Sequence, residues 1–168
     1  MNQARERDAP PSLRAHSGAS QRLDITAFLT PKSQVVWVSA NGSVEQALER
    51  MKPNGFAAVP ILDDDGGYVG TLSTSDLIWF LLRAGGAWQE LARASSLLTV
   101  PRRRSGWVAR IDTSLSALIE ATLEQSFVPV VDDRGVFIGI VRRRPVIEYC
   151  AGLAGRCRGE RMGRPDNR

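Results

Sequence analysis

Val59-Pro60-Ile61-Leu62-Asp63-Asp64 is answered 69 residues later by Val128-Pro129-Val130-Val131-Asp132-Asp133. Each stretch reads as a buried strand running into an acidic turn. The next segment returns at the same interval: Tyr68-Val69-Gly70-Thr71-Leu72 becomes Phe137-Ile138-Gly139-Ile140-Val141, since 129 minus 60 and 139 minus 70 both give 69. One shared dipeptide is a chance event, whereas an ordered series at one interval marks a duplicated unit. Upstream, Ser43-Val44-Glu45-Gln46-Ala47-Leu48 aligns less cleanly with Ser114-Leu115-Ser116-Ala117-Leu118-Ile119. The first copy carries about two additional residues around Pro53-Asn54-Gly55.

Both copies spell the same elements. Val35-Val36-Trp37-Val38 is a short β-rich run, and Asn41-Gly42-Ser43 is a turn ending in a helix N-cap residue. Val44, Ala47, Leu48 and Met51 then fall on one helical stripe. A strand over 56–62, a turn over 63–67, a strand over 68–72 and a helix from Ser75 through Leu82 complete the first copy. The second repeats this order: a strand over 108–111, a helix from Ser114, strands over 127–131 and 137–141, and a helix from Pro145, whose missing N–H costs nothing in a first turn. A helical pattern over 88–94 joins the halves. The fold expected is mixed α/β: tandem repeats, each a small sheet with flanking helices, packed about a pseudo-two-fold axis with a cleft between them. The boundaries expected are a disordered tail over 1–22, the first repeat with its connecting helix over 23–94, the linker and second repeat over 95–153, and a disordered basic tail over 154–168.

The 168 residues include 43% hydrophobic and 24% charged side chains, an ordinary balance for a chain with a real core. The longest strongly apolar stretch, 77–82, is far too short for a membrane span. The start, with Arg5, Glu6, Arg7 and Asp8, offers charge where a secretory leader needs an apolar run, so the expected location is cytoplasmic. Histidine occurs once, as His16, and Cys150 and Cys157 have neither zinc-knuckle nor redox-motif spacing; neither a metal site nor a catalytic constellation is expected. The net charge of +4 resides largely in the two arginine-rich tails, with further clusters at Arg102-Arg103-Arg104 and Arg142-Arg143-Arg144. Such local clusters suit discrete anionic groups better than a long nucleic-acid backbone.

Gly70-Thr71-Leu72-Ser73-Thr74-Ser75-Asp76 holds the chemistry of the first copy. A carboxylate can accept both hydroxyls of a ribose, and a hydroxyl at a helix N-terminus can donate to phosphate in a favourable local field. The same Ser73-x-x-Asp76 spacing is also a capping-box start, which would satisfy free helix amides instead. The second copy reads Gly139-Ile140-Val141-Arg142-Arg143-Arg144-Pro145. Arginine takes the hydroxyl position and proline the carboxylate position. Three guanidiniums at a helix start oppose the helix dipole, a cost tolerable where one or two of them meet an anion; the competing reading is solvated surface charge or pairing with the Asp-rich turns.

These strand–turn–strand units, each followed by glycine and a helix, resemble the CBS family over roughly residues 33–149. Its tandem pairs form adenosine-nucleotide sensor modules, and Gly70 through Asp76 matches the pattern Gly-h-x-Ser/Thr-x-x-Asp of its nucleotide-binding members. The resemblance implies a regulatory protein, not an enzyme, that takes AMP, ADP, ATP or cyclic di-AMP in the inter-repeat cleft and needs no other cofactor. Asp76 would hold ribose, and Ser73 with Arg143 or Arg144 would hold phosphate, Arg142 standing in the same cluster. Val36, Trp37 and Ala58 would line the base slot, although core packing competes for Trp37 as it does for Phe56. The layout is also similar to small stand-alone bacterial pairs that sense cyclic di-AMP, which share a lead-in like 31–38 and arginines after the last strand. The implied partners are a nucleotide, a second copy in a homodimer and a regulated protein, with neither membrane nor nucleic acid. The alternatives are a ligand-free dimerisation module and nucleic-acid binding through the tails.

Overall fold

The computed structural model of the chain describes residues 25–102 and 106–162, with side chains described through residue 153. The tails with His16, Cys157 and the linker's Arg103 and Arg104 lie outside what is described at side-chain level. The elements are β1 (Leu29–Pro31), β2 (Val38–Ser39), α1 (Val44–Met51), β3 (Ala58–Leu62), β4 (Tyr68–Ser73), α2 (Thr74–Leu81), α3 (Trp88–Ala94), β5 (Ala109–Arg110), α4 (Leu115–Glu124), β6 (Phe127–Val131), β7 (Phe137–Arg142) and α5 (Arg143–Met162). The duplicated order expected from the sequence is present. The last helix continues to Met162, past the 153 boundary at which the tail was expected to begin.

The two Val-Pro stretches, at Val59 and Val128, form the central strands β3 and β6. In β3 and in β6 the last four residues are all buried. Each pairs in parallel with its short lead-in strand, β2 or β5, and antiparallel with β4 or β7. Proline has no N–H to give a sheet, and the pairing accommodates this. β2 covers only Ile61 and Leu62, and β5 only Val130 and Val131. Pro60 and Pro129 therefore sit beyond the lead-in strands, where the central strand has become an edge.

The acidic turns are held by their first carboxylates. Asp63 Oδ1 accepts from the Asp65 and Gly67 amides, and Asp132 Oδ1 from those of Arg134 and Val136. Gly66 and Gly135 supply the positive φ, +83° and +82°, that these turns require. The two hairpins then meet tip to tip. The Tyr68 amide donates to the Gly135 carbonyl at 3.1 Å, and the Phe137 amide to that of Gly66 at 2.9 Å. Behind them Leu62, Phe137 and Ile140 form a buried cluster with Tyr68, Trp37 and Phe127 packed against it. Each half has its own core besides: Val44, Val59, Ile61, Leu72 and Leu77 in the first, Leu118, Val128, Val130, Val141 and Val146 in the second.

The duplication is not respected by the connections. β1 pairs antiparallel with β7, so the sheets read β2-β3-β4 and β1-β7-β6-β5. Residues 25–31, assigned by sequence to the first repeat, thus pack on the second: Ile25 is in its core, and Phe28 meets Tyr149 edge-on. Conversely Ala92, Leu97 and Val100 join the core of the first half, so the linker leaves that half after residue 100 and not at 95.

Candidate functional site

Two cavities lie between the halves, each built from both repeats. The larger, about 710 Å³, takes the lead-in residues Gln34, Val35 and Val36, the approach Gly55 to Ala57 and the uncovered start of β3, Ala58 to Pro60, from the first half. From the second it takes Ile140, Arg142, Arg143, Arg144, Ile147 and Glu148. The smaller, about 450 Å³, takes Thr71, Ser73, Ser75, Asp76 and Trp79 from the first half and Gly106, Trp107, Glu124 and Gln125 from the second. Ala58, Ser126 and Phe127 line both, so one wall separates two related spaces. At the repeat interval Ser73 corresponds to Arg142, Asp76 to Pro145 and Trp79 to Glu148.

This geometry divides the residues singled out in the sequence. Val36, Ala58, Arg142, Arg143 and Arg144 share the larger cavity, whereas Ser73 and Asp76 stand in the smaller, with Ala58 between. The single cleft expected to join Asp76 to the arginines is therefore two cavities. Trp37 lines neither. Trp37 packs instead against the cluster of Leu62, Phe137 and Ile140. Its indole ring is 5.8 Å from Lys32 Nζ and 5.4 Å from the Arg50 guanidinium, and it lines a separate pocket with Ser39 and Gln46.

The Ser73–Asp76 pair forms a helix cap. The Asp76 amide donates to Ser73 Oγ at 3.1 Å, and the Ser73 amide and hydroxyl donate to Asp76 Oδ2 at 3.2 and 2.6 Å. The Asp76 side chain is buried with the cap. A first-turn carboxylate also suits the positive end of α2. Ser43 makes the corresponding cap with Gln46 on α1, which shows how much of this motif the helix start alone explains.

The three arginines differ. Arg143 is half-buried and directs Nε to the Gln125 carbonyl at 3.2 Å and Nη2 to that of Leu123 at 3.4 Å, closing the C-terminal end of α4. Arg144 donates Nε to Glu148 Oε1 at 2.7 Å, and this hydrogen bond, then the charge of Glu148, pushes its pKa up. Arg142, at the end of β7, is exposed, and its guanidinium has no hydrogen bond or ion pair among the described residues. The larger cavity thus combines an apolar slot, an uncovered strand edge with backbone donors and acceptors, and one guanidinium not yet committed.

Sequence reasoning missed Gln34, Ile140, Ile147 and Glu148 in the larger cavity and Trp107, Gln125 and Phe127 in the smaller. A signal existed for part of this. Arg144, Ile147 and Glu148 have the i, i+3, i+4 spacing of one helix face, and the repeat interval sends Ala58 to Phe127. No groups of acidic, cysteine and histidine side chains suited to a metal ion occur among the described residues. None of their helices is long and apolar enough to cross a membrane.

The CBS domain model matches residues 24–83 and 107–152, and the chain belongs to the CBS-domain family. It is 27% identical over 143 residues to the chloroplastic CBS domain-containing protein CBSX2 of Arabidopsis thaliana, of whose length it spans 60% and which covers 71% of this chain. The structure of CBSX2 in complex with AMP superposes with a TM-score of 0.63 at 26% identity, over 78% of this chain and 98% of that one. Listeria monocytogenes CbpB in complex with c-di-AMP gives 0.68 at 20% identity, over 78% and 97%. The tandem fold is that of these paired-domain structures.

Proposed function

We propose that this chain is a regulatory, non-catalytic module that binds an adenosine nucleotide, AMP, ADP, ATP or cyclic di-AMP, in the larger inter-repeat cavity. The observation that carries this reading is a slot of about 710 Å³ walled by both repeats, apolar along Val36, Phe56 and Ile140 and cationic at Arg142. The base enters the slot and meets the uncovered edge of β3, and the phosphate meets Arg142, whose planar fork matches phosphate oxygens. The AMP complex of CBSX2 and the c-di-AMP complex of CbpB support this ligand class. Because the ligand touches both halves, it favours whichever packing of the halves it binds better, and a partner that distinguishes those packings is regulated. Exposed Ile78 and Leu82 on and after α2, and Leu123 on α4, support self-association as a homodimer.

Calorimetry against AMP, ATP and cyclic di-AMP tests the site. Arg142→Ala is expected to weaken binding about tenfold with the fold intact. Unchanged affinity in Arg142→Ala, together with loss in Asp76→Ala, would move the ligand to the smaller cavity, where the complete Gly-h-x-Ser-x-x-Asp motif stands. No response to any of the three favours the ligand-free dimerisation module. Native mass spectrometry gives the subunit count, two being expected.

A further inference from the structure

The second repeat has Pro145 where the first has Asp76, so the larger cavity lacks a carboxylate at the position that could hold a ribose. A carboxylate lines the same cavity from one helical turn along. Glu148 lies on α5 three residues beyond Pro145, on the face it shares with Arg144 and Ile147, and all three line the larger cavity. Helical side chains lean toward the N-terminus. Glu148 does so: its Oε1 accepts from Arg144 Nε at 2.7 Å, which brings the carboxylate back over the first turn. The repeats have exchanged residue types here, Asp76 then Trp79 in one, Pro145 then Glu148 in the other.

We propose that Glu148 is the residue that reads the ribose hydroxyls of a nucleotide in the larger cavity, with Arg144 joining its carboxylate to the ligand's phosphate end. This assignment rests on the nucleotide reading above. The chemistry requires both members. A bare carboxylate near a phosphate repels it, and a guanidinium between them removes that repulsion while leaving the second carboxylate oxygen to accept from a hydroxyl. Glu148 Oε2 has no partner among the described residues. Its side chain is 59% exposed, so it can turn toward a ligand without disturbing the core.

The test is ribose discrimination. Affinities for AMP, 2′-deoxy-AMP and 3′-deoxy-AMP are measured by calorimetry on the full chain and on Glu148→Gln. The native protein is expected to prefer AMP by about tenfold, the worth of a hydrogen bond to a charged acceptor. Glu148→Gln, of equal length but without the charge, is expected to bind all three within about twofold of one another. Discrimination that survives in Glu148→Gln overturns the assignment, as does a native protein that binds the three equally; in both cases nucleotide binding itself stands. Failure of the native protein to bind AMP, ATP or cyclic di-AMP removes the nucleotide reading and this assignment together. Should Glu148→Gln not fold, Glu148→Asp, with its shorter reach, gives the same comparison.

Discussion

Ser73 and Arg142 occupy one position of the duplicated unit, at the end of the second hairpin strand where a helix begins, and they have been put to different uses. Ser73 Oγ accepts from the Asp76 amide and donates to its carboxylate, so the hydroxyl is committed to starting α2. Arg142 caps nothing and lines the larger cavity. The two should therefore separate stability from binding. Ser73→Ala is expected to cost about 1 kcal/mol in chemical denaturation, the usual worth of an N-cap, with AMP affinity within about twofold of native. A tenfold loss of affinity in Ser73→Ala would place the phosphate on the first repeat and refute the use of the larger cavity. Arg143 belongs with Ser73 here, since its guanidinium ends α4 as Ser73 begins α2. The sequence shows three adjacent arginines, and nothing in their order distinguishes the one that holds carbonyls from the one that is unpaired. That difference arises from which backbone groups the fold brings near, and it is invisible before the helices are placed.

Among the elements, Gly70 and Gly139 are equivalent in the repeat yet meet different neighbours. β1 runs beside β7, and a Cβ on Gly139 would collide with the Thr30 carbonyl oxygen. Among the described residues, a Cβ on Gly70 of β4 would meet the far end of Arg102 in the linker, 3.1 Å from Nη1. Backbone in a sheet cannot give way, whereas the tip of an exposed arginine can. Gly139→Ala is accordingly expected to cost about 3 kcal/mol by forcing β1 off its neighbour, and Gly70→Ala less than about 1 kcal/mol; thermal and urea unfolding of the pair measure both. Equal losses would mean that β1 is dispensable. The central strands, turns and helix starts were legible because they repeat, and because proline, Asx turns and N-caps are local signals. β1 was not, since Leu29-Thr30-Pro31 has no period and no copy, and its partner β7 lies more than a hundred residues away. The division of the cleft was hidden for a related reason: it follows from Ala58, Ser126 and Phe127 meeting as a wall, a contact between repeats that neither repeat's own pattern encodes.

For the whole molecule, the near-symmetry of the two hairpin-tip hydrogen bonds contrasts with the asymmetry of the sheets, three strands against four. Residues 25–31, the first described, pack on the far half although they precede every element of the first repeat in sequence. Removing that segment should consequently be felt at a distance in sequence. A chain beginning at Lys32 lacks β1 and the buried Ile25, and burial of one isoleucine with three strand pairs predicts a loss of at least about 3 kcal/mol. Hydrogen exchange locates it. The amides of β7 opposite β1, from Gly139 to Val141, are expected to lose protection. Those of β3 and β4 should keep theirs, because their core from Val44 to Leu77 contains nothing from 25–31. The larger cavity would lose its second-half wall with β7, since Ile140 and Arg142 stand on that strand, and nucleotide affinity should fall while the first half remains folded. Protection lost equally from β3 and β4 would show that the hairpin contact at Tyr68 and Phe137 binds the halves into one cooperative unit. In that event a ligand could not act by shifting one half against the other, and regulation would have to pass through the exposed helices instead.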